Sequence, residues 1–410
     1  MSLFGGMILG WFTVLAAFRC GLALKLRAAF AQAEELSNLQ PNDWPAVVAV
    51  MALRDGDEAL QEALEHLMSL DYPDYRIRLI LDSENDPALP FVHKALLKTG
   101  HPHVEILTLP ERKETCSGKI SGILYGTADL PIHCEVVAIF DGDAVLHASC
   151  LQELVAPLQQ SAVLTTGNRW YVPQPNTGGM FRYQWNALAV TVMNVMNIPW
   201  GGCMAMKVDV IQHPELRHRL ENAFGEDSTI ATFLIERGER IQFVPAATIV
   251  NSESCSLTGF YNFLIRQYLT VRLNNPRWGF VLFSNILLGL TAAVTNVLLI
   301  TNIPYRLEMG LGYLLLIATL VAEILIGSHL VRKQKLLKGV NIPKFAAKHW
   351  LIFPFSLVLL NYMNLCATLH SVFIKQHLWR GITYQFPGQR RCKIVKVTDI
   401  AGTKTLNTQE

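Results

Sequence analysis

The sequence predicts an α/β domain with an open parallel sheet, held between apolar helices long enough to cross a membrane. Three observations predict it. Between about Asn42 and Arg277, strand-length apolar runs alternate with helix-patterned stretches, the order that yields parallel strands joined by crossover helices. Long apolar segments lie before and after that region. One strand run, Val136 to Phe140, stops abruptly at Asp141-Gly142-Asp143, and strand alternation cannot hide two carboxylates one residue apart. Such a pair projects from a strand end, where hard oxygen ligands suit a divalent cation carrying a diphosphate. An isolated Asp-Gly-Asp also suits an ordinary acidic turn.

Composition narrows the partners. Of 410 residues, 51% are hydrophobic and the formal net charge is +2, so no basic stripe offers itself to nucleic acid and the lipid bilayer is the expected partner. The eight cysteines are scattered without paired spacing, which excludes zinc knuckles and redox motifs and fits reduced thiols facing a cytosol.

Leu3 to Leu24 is the first apolar segment, long enough for a bilayer. Arg19, Lys25 and Arg27 fall near or after its end, where a signal peptide would carry positive charge at its start. The positive-inside rule then places Met1 outside and the following domain in the cytoplasm. Ala28 to Leu39 reads as a helical connector near the membrane surface.

Within the domain, Ala46 to Met51 is a buried parallel strand, followed by a helix over Glu58 to Leu70. Tyr75 to Leu81, Val104 to Leu107 and Val136 to Phe140 continue the sheet, with a helix over Pro90 to Lys98. Asp82, Asp86, Asp141 and Asp143 all fall at or just beyond strand ends, the ligand-binding edge of such sheets. Ile230, Phe233 and Leu234 set a helix over Ser228 to Arg237, which Asp227 begins or precedes.

Three apolar segments follow: Phe280 to Ile300, Leu311 to Val331 and Trp350 to Ile374. The first two form a hairpin through the turn at Thr301 to Gly310, and Arg332, Lys333, Lys335 and Lys338 mark the return to the cytoplasm. A full third crossing would put Arg380, Arg390, Arg391, Lys393 and Lys396 outside, unless Phe353-Pro354-Phe355 breaks the segment into an interfacial or re-entrant piece. The plan is an anchor (1–27), a connector (28–45), the α/β domain with interfacial helices near its end (46–277), a membrane region (278–375) and a basic tail (376–410).

The ordered set Asp71 to Pro73, Asn85 to Ala88, Ser117 to Ile120, Asp141 to Asp143 and Gly225 to Asp227 resembles a membrane-bound family 2-type glycosyltransferase, most nearly its ceramide glucosyltransferase branch. Trp379-Arg380-Gly381 and Tyr384 resemble the tail of those enzymes. The resemblance implies a cytoplasmic GT-A (Rossmann-like) domain with N- and C-terminal transmembrane helices. It also implies a UDP-sugar donor, a membrane lipid acceptor and a Mn2+ or Mg2+ ion.

Carried onto this chain, the resemblance makes Asp86, with Asp82, the first acidic element at the nucleotide floor. Each of these carboxylates, taken singly, also fits a solvated turn. Lys119 resembles the lysine facing the diphosphate, and Asp141 and Asp143 the metal pair. Asp227 resembles the general base, with Glu226 beside it at the nucleotide-sugar site; Asp and Glu also cap helix starts. A single displacement inverts the anomeric centre, and no second carboxylate stands ready as a nucleophile. Gly201 to Lys207 resembles the loop and strand flanking the acceptor pocket, with Trp185 and Trp200 nearby. Arg266 takes the arginine slot, a planar fork for diphosphate, and Arg272 is its alternate. Gln267 stands where relatives carry tryptophan, the platform for a growing chain in polymerising synthases. That loss, and a membrane bundle too small to shield a polar polymer, weigh against a processive polysaccharide synthase. The altered Arg-Gln element keeps open a non-catalytic scaffold, which would release no nucleoside diphosphate.

Overall fold

The computed structural model describes residues 3–36, 43–174, 176–301, 305–340, 342 and 347–398. Residues 37–42 of the expected connector, 302–304 of the expected hairpin turn and 399–410 of the tail lie outside them. In chain order the first half comprises α1 (Leu3–Leu36), β1 (Val47–Leu53), α2 (Glu58–Leu67), β2 (Tyr75–Leu81), α3 (Leu89–Thr99), β3 (Val104–Thr108), α4 (Gly118–Gly126), β4 (Val136–Phe140), α5 (Cys150–Val155), β5 (Leu164–Thr166), β6 (Arg169–Tyr171) and α6 (Thr177–Met196). There follow β7 (Cys203–Lys207), α7 (Val208–Gln212), α8 (Pro214–Leu220), α9 (Glu226–Glu236), β8 (Ile241–Phe243), β9 (Ile249–Asn251), α10 (Leu257–Asn274), α11 (Trp278–Ile300), α12 (Arg306–Leu336), α13 (Ala347–Phe373), β10 (Gln376–Trp379), β11 (Ile382–Gly388) and β12 (Arg391–Val397).

Seven strands form one sheet in the order β3-β2-β1-β4-β7-β5-β8. β1 lies parallel to β2 and to β4, with Val47 opposite both Tyr75 and Val136, while β7 runs antiparallel between β4 and β5. The continuous apolar run of β1 follows from burial on both faces. Ala49 and Met51 enter the core with α2, α3 and α5, and Val48 and Val50 enter the core with α4 and α9. Each fully buried branched side chain of this kind contributes about 1.5–3 kcal/mol over its exposed state.

Four helices are long and apolar enough to cross a membrane: residues 3–32 of α1, α11, α12 and residues 349–373 of α13. Arg19 of α1 makes a two-pronged pair with Glu323 of α12, both contacts 2.8 Å, and Thr191 of α6 donates to the same carboxylate at 2.5 Å. α11 and α13 pack antiparallel through Asn285 to Thr368 (3.0 Å) and Asn296 to Tyr362 (2.8 Å).

Pro354 does not break α13. The adjoining Phe353 carbonyl accepts from Gln184 of α6 at 3.0 Å and from Ser356 at 2.8 Å, which ties this part of α13 to α6. At the other end, Arg272 of α10 donates to the carbonyls of Val372 and of Ile374 (2.8 Å to the latter). Both parts of α13 are thus held by helices of the α/β domain.

Residues 376–397 of the basic tail fold into the antiparallel sheet β10-β11-β12, because Ile382, Tyr384 and Phe386 alternate inward and bury against Phe224. The turn Arg380-Gly381 has φ of 50° and 71°, the left-handed pair a two-residue hairpin requires and glycine favours. The sheet sits on the domain through Gly118 N–H to Tyr384 (3.2 Å), Arg54 to the Arg380 carbonyl (2.8 Å) and Ile394 N–H to the Glu114 carbonyl (2.7 Å).

Candidate active site

A cavity of about 610 Å³ opens where β1, β2 and β4 end and continues to α6 and α10. This is the crevice beyond the strand carboxyl ends that open α/β sheets use. Arg54, Asp82, Lys119, Asp141, Asp143 and Arg266 line it, and Trp379, Arg380 and Tyr384 of the C-terminal sheet form part of its wall.

Asp141 is the centre of its charge network. Ser117 caps α4, accepting from Ile120 N–H, so the next turn presents Lys119 to the cavity. The Lys119 ammonium donates to Asp141 at 2.6 Å, Glu226 at 2.5 Å and the Gly201 carbonyl at 3.2 Å. Arg169, at the start of β6, reaches Asp143 at 2.7 Å and Asp141 at 3.4 Å with the same nitrogen. Burial alone would raise the Asp141 carboxyl, but Lys119 and Arg169 hold it below the ordinary value. Burial also pulls on Lys119, and Asp141 and Glu226 outweigh it, keeping the ammonium charged. Glu226 goes the other way: burial raises it despite Lys119, and Asp227 and Asp141 add to the rise.

Asp227 lies in the first turn of α9. One carboxylate oxygen accepts from Gly201 N–H at 3.2 Å, and the other from the N–H and hydroxyl of Ser228 at 2.5 and 3.0 Å. Gly201 therefore touches both halves of the network, and a Cβ there would collide with the Glu226 carboxylate. Glu226 and Asp227 stand behind the Gly201 loop and not among the cavity-lining side chains.

The expected floor divides into two roles. Asp82 lines the cavity and is gripped by Arg112, at 2.8 Å to each oxygen, and by Arg54. Asp86 does not line it. Its buried carboxylate accepts from the N–H groups of Asp55 (3.0 Å) and Ala88 (2.9 Å), and so shapes the loop beneath the floor; burial raises its pKa.

Arg266 enters from α10 with its guanidinium over the rings of Trp379 (5.3 Å) and Phe263 (6.0 Å). Among the described residues it has no carboxylate within ion-pair reach. Burial, then Arg169, lowers its pKa, the condition of a cation short of an anion. Trp379 thus lays an aromatic face beside Arg266, while position 267 itself is a glutamine. Gln267 also lines the cavity. Arg272 points away, to the carbonyls ending α13. Trp185 lines the cavity and donates to Tyr268 at 3.2 Å, and Trp200 lies under the Arg169 guanidinium at 4.6 Å.

Sequence reading passed over Arg54, Arg112 and Arg169, and met Trp379 only as part of a tail motif, with no role at the site. Arg54 directly follows β1, so the strand-end rule that nominated Asp82 would have nominated it as well. Arg169 and Trp379 reach the site only through tertiary packing.

Asp141 and Asp143 fit a divalent cation by their chemistry: two hard-oxygen carboxylates converge on one point, taken here by a guanidinium nitrogen. Among the described residues no group of three or more His, Cys, Asp or Glu forms a closed cage. Magnesium-type ions are commonly held this way, by one or two carboxylates with substrate phosphates and water completing the shell.

The family described as "Glycosyltransferase like family 2" matches residues 45–270, more than half of the chain. The chain is similar to the mannosyltransferase PcManGT from Pyrobaculum calidifontis in complex with GDP-Man and Mn2+, at 14% identity over 89% of this chain and 99% of that one, with a TM-score of 0.45. It is also similar to S. aureus TarS 1-349, at 10% identity over 86% and 100% of the two chains, with a TM-score of 0.34.

Proposed function

The chain belongs to the glycosyltransferase-like family 2, and from that premise we propose that it moves one sugar, glucose or a related hexose, from a UDP-sugar to a hydroxyl of a membrane lipid. Ceramide, the acceptor of the branch it resembles, and diacylglycerol are the acceptor classes that suit it. The carrying observation is that Lys119 bridges Asp141 to Glu226 and Arg169 bridges Asp141 to Asp143, at the floor of a cavity whose far wall is made by α6 and α10.

In this reading Lys119, Arg169 and Arg266 face the diphosphate, and Arg54 with Asp82 frames the nucleotide end. Fixed cations lining the cavity stabilise charge as it develops on the departing phosphate, without reorganising at the moment of reaction. Asp141 and Asp143 would hold Mn2+ or Mg2+, which when bound supplies Lewis-acid neutralisation of the leaving diphosphate. Asp227 is assigned the proton of the acceptor hydroxyl as that oxygen attacks the anomeric carbon from the face opposite the diphosphate, which inverts the centre; the Gly201 loop between its carboxylate and the cavity must shift for the hydroxyl to reach it. Ser228 and Gly201 N–H fix its carboxylate, and Glu226 positions Lys119.

α6 and α10 lie against α13 through Gln184 and Tyr268, so a lipid hydroxyl can reach the cavity while its tails stay in the bilayer. Lys25, Arg27 and the basic end of α12 support a cytoplasmic side for the α/β domain under the positive-inside rule. The C-terminal sheet, attached to that domain, shares its side.

The test is incubation of purified protein in nanodiscs with a panel of labelled nucleotide sugars and lipid extracts, followed by mass analysis of the lipid and NMR of its anomeric centre. A β-linked glycolipid made from an α-linked UDP-sugar is expected. UDP release without any glycosylated lipid would defeat the acceptor assignment, and retained configuration would defeat the single displacement.

A further inference from the structure

We infer that Arg169 is the site's own counter-cation: it stands where Asp141 and Asp143 would take a divalent ion, and yields that point when a diphosphate gives its guanidinium a better partner. Metal uptake is thereby coupled to the donor, with Arg169 as the positioning residue that couples them. The inference rests on the reading of the site proposed above. One nitrogen of Arg169, Nη2, reaches Asp143 Oδ1 at 2.7 Å and Asp141 Oδ2 at 3.4 Å. Lys119 holds the other Asp141 oxygen, Oδ1, at 2.6 Å. The two oxygens left to converge on one point are therefore the two that Arg169 bridges. A guanidinium keeps its charge throughout the accessible pH range, so Nη2 and a divalent ion exclude each other there.

The hold is not the one a guanidinium prefers. Its planar fork gives two parallel hydrogen bonds to a single carboxylate or phosphate. Here one nitrogen serves both carboxylates, Nη1 donates to the Tyr171 hydroxyl at 3.0 Å, and the buried Nε has no hydrogen-bond partner among the described residues. Arg169 keeps donor capacity in reserve, and a diphosphate presents the oxygens that match its fork. Arg266 lines the same cavity, so the anion meets a second guanidinium there. Charge points the same way. A divalent ion arriving alone would set two further positive charges against Lys119 and Arg169, whereas a diphosphate arriving with it answers both. Such coupling is reciprocal: a donor that tightens the metal is tightened by it to the same factor.

The experiment titrates full-length protein in phosphatidylcholine nanodiscs with Mn2+, with and without UDP, and reads free ion by electron paramagnetic resonance against protein-free controls. No turnover enters the readout. The wild type should bind Mn2+ weakly alone and tightly with UDP. Arg169→Gln should bind Mn2+ alone about tenfold more tightly than the wild type, and the tightening by UDP should shrink by a similar factor, within the ~5–150-fold range of couplings between sites. Lys119→Gln, which removes a cation from the other Asp141 oxygen, should gain much less. A site merely damaged by substitution loses affinity, so the direction of the change separates coupling from a structural role. Arg169→Met gives the same reading if the glutamine variant does not keep the wild-type melting temperature. Equal gains in Arg169→Gln and Lys119→Gln, Mn2+ affinity unmoved by either Arg169 variant, or tight uptake by the wild type without UDP would overturn the inference while leaving the metal assignment standing. A wild type that binds no Mn2+ even with UDP would defeat that assignment, and the inference with it.

Discussion

Lys119 and Asp227 are joined through a single residue. Lys119 donates to the Gly201 carbonyl at 3.2 Å, and the Gly201 N–H donates to Asp227 at 3.2 Å. The cation assigned to the donor diphosphate and the carboxylate assigned to the acceptor hydroxyl thus share one backbone support. Gly201→Ala should therefore lower turnover by about 10²-fold, the usual effect of misplacing catalytic groups by an ångström, because its Cβ meets the Glu226 carboxylate. Steady-state kinetics with an unchanged melting temperature would bear this out, and wild-type turnover would refute the shared-support argument.

Asp227→Asn keeps an oxygen for Gly201 N–H and removes the base. A loss of about 10²–10⁴-fold in transfer is expected, with calorimetric UDP affinity preserved. A fully active variant means another group takes the proton.

Much of this was legible from the chain. β1, β2 and β4 appear where apolar runs of strand length predict them, since burial on both faces leaves no other composition available to a central parallel strand. Asp141 and Asp143 were legible as a strand-end pair lining the cavity because the apolar run of β4 stops directly before them. The C-terminal sheet was not: five basic residues in a short stretch mask the alternation of Ile382, Tyr384 and Phe386, and its hydrophobic partner Phe224 is distant in sequence. Arg169 was equally hidden, for its value lies in which carboxylates tertiary packing sets before it. Asp86 was placed one layer too high, because a strand-end aspartate serves a loop's N–H groups as readily as a ligand.

His377 makes attachment of the C-terminal sheet acid-sensitive. Burial, then the nearby Arg266, pushes its pKa down from 6.5 to about 4. Between those values the unfolded imidazole binds a proton that the folded one refuses, so stability falls as pH drops from about 6.5 towards 4 and is fully present above that window. Thermal unfolding across pH 4 to 7.5 should show this slope in the wild type and a shallower one in His377→Phe. Identical slopes would remove His377 from the account.

The Arg19–Glu323 pair binds two of the long apolar helices, α1 and α12, at buried positions. Removing one partner leaves an uncompensated buried charge, so Glu323→Ala should cost about 3–5 kcal/mol, whereas the double change Arg19→Met with Glu323→Met should recover much of it. Denaturant midpoints in detergent would measure both, and additive losses would show that the two charges do not stabilise each other.

α13 is long and apolar enough to cross a bilayer, yet its contacts argue that it does not complete a crossing. Gln184 holds its Phe353 carbonyl, Arg272 holds its Val372 and Ile374 carbonyls, and both side chains belong to helices of the α/β domain. The next residues build a sheet fixed to Gly118 and Arg54 of that same domain. A full crossing would have to pull this sheet, with Arg390, Arg391, Lys393 and Lys396, to the opposite side against the positive-inside rule. Single cysteines at Asp74, Thr301 and Lys396, in a background with the exposed Cys20 and Cys366 replaced by serine, report the outcome in sealed vesicles. An impermeant maleimide should label Asp74→Cys and Lys396→Cys from one face and Thr301→Cys from the other. If Lys396→Cys labels with Thr301→Cys instead, α13 spans the membrane and the attachment of its sheet to the domain has to be abandoned.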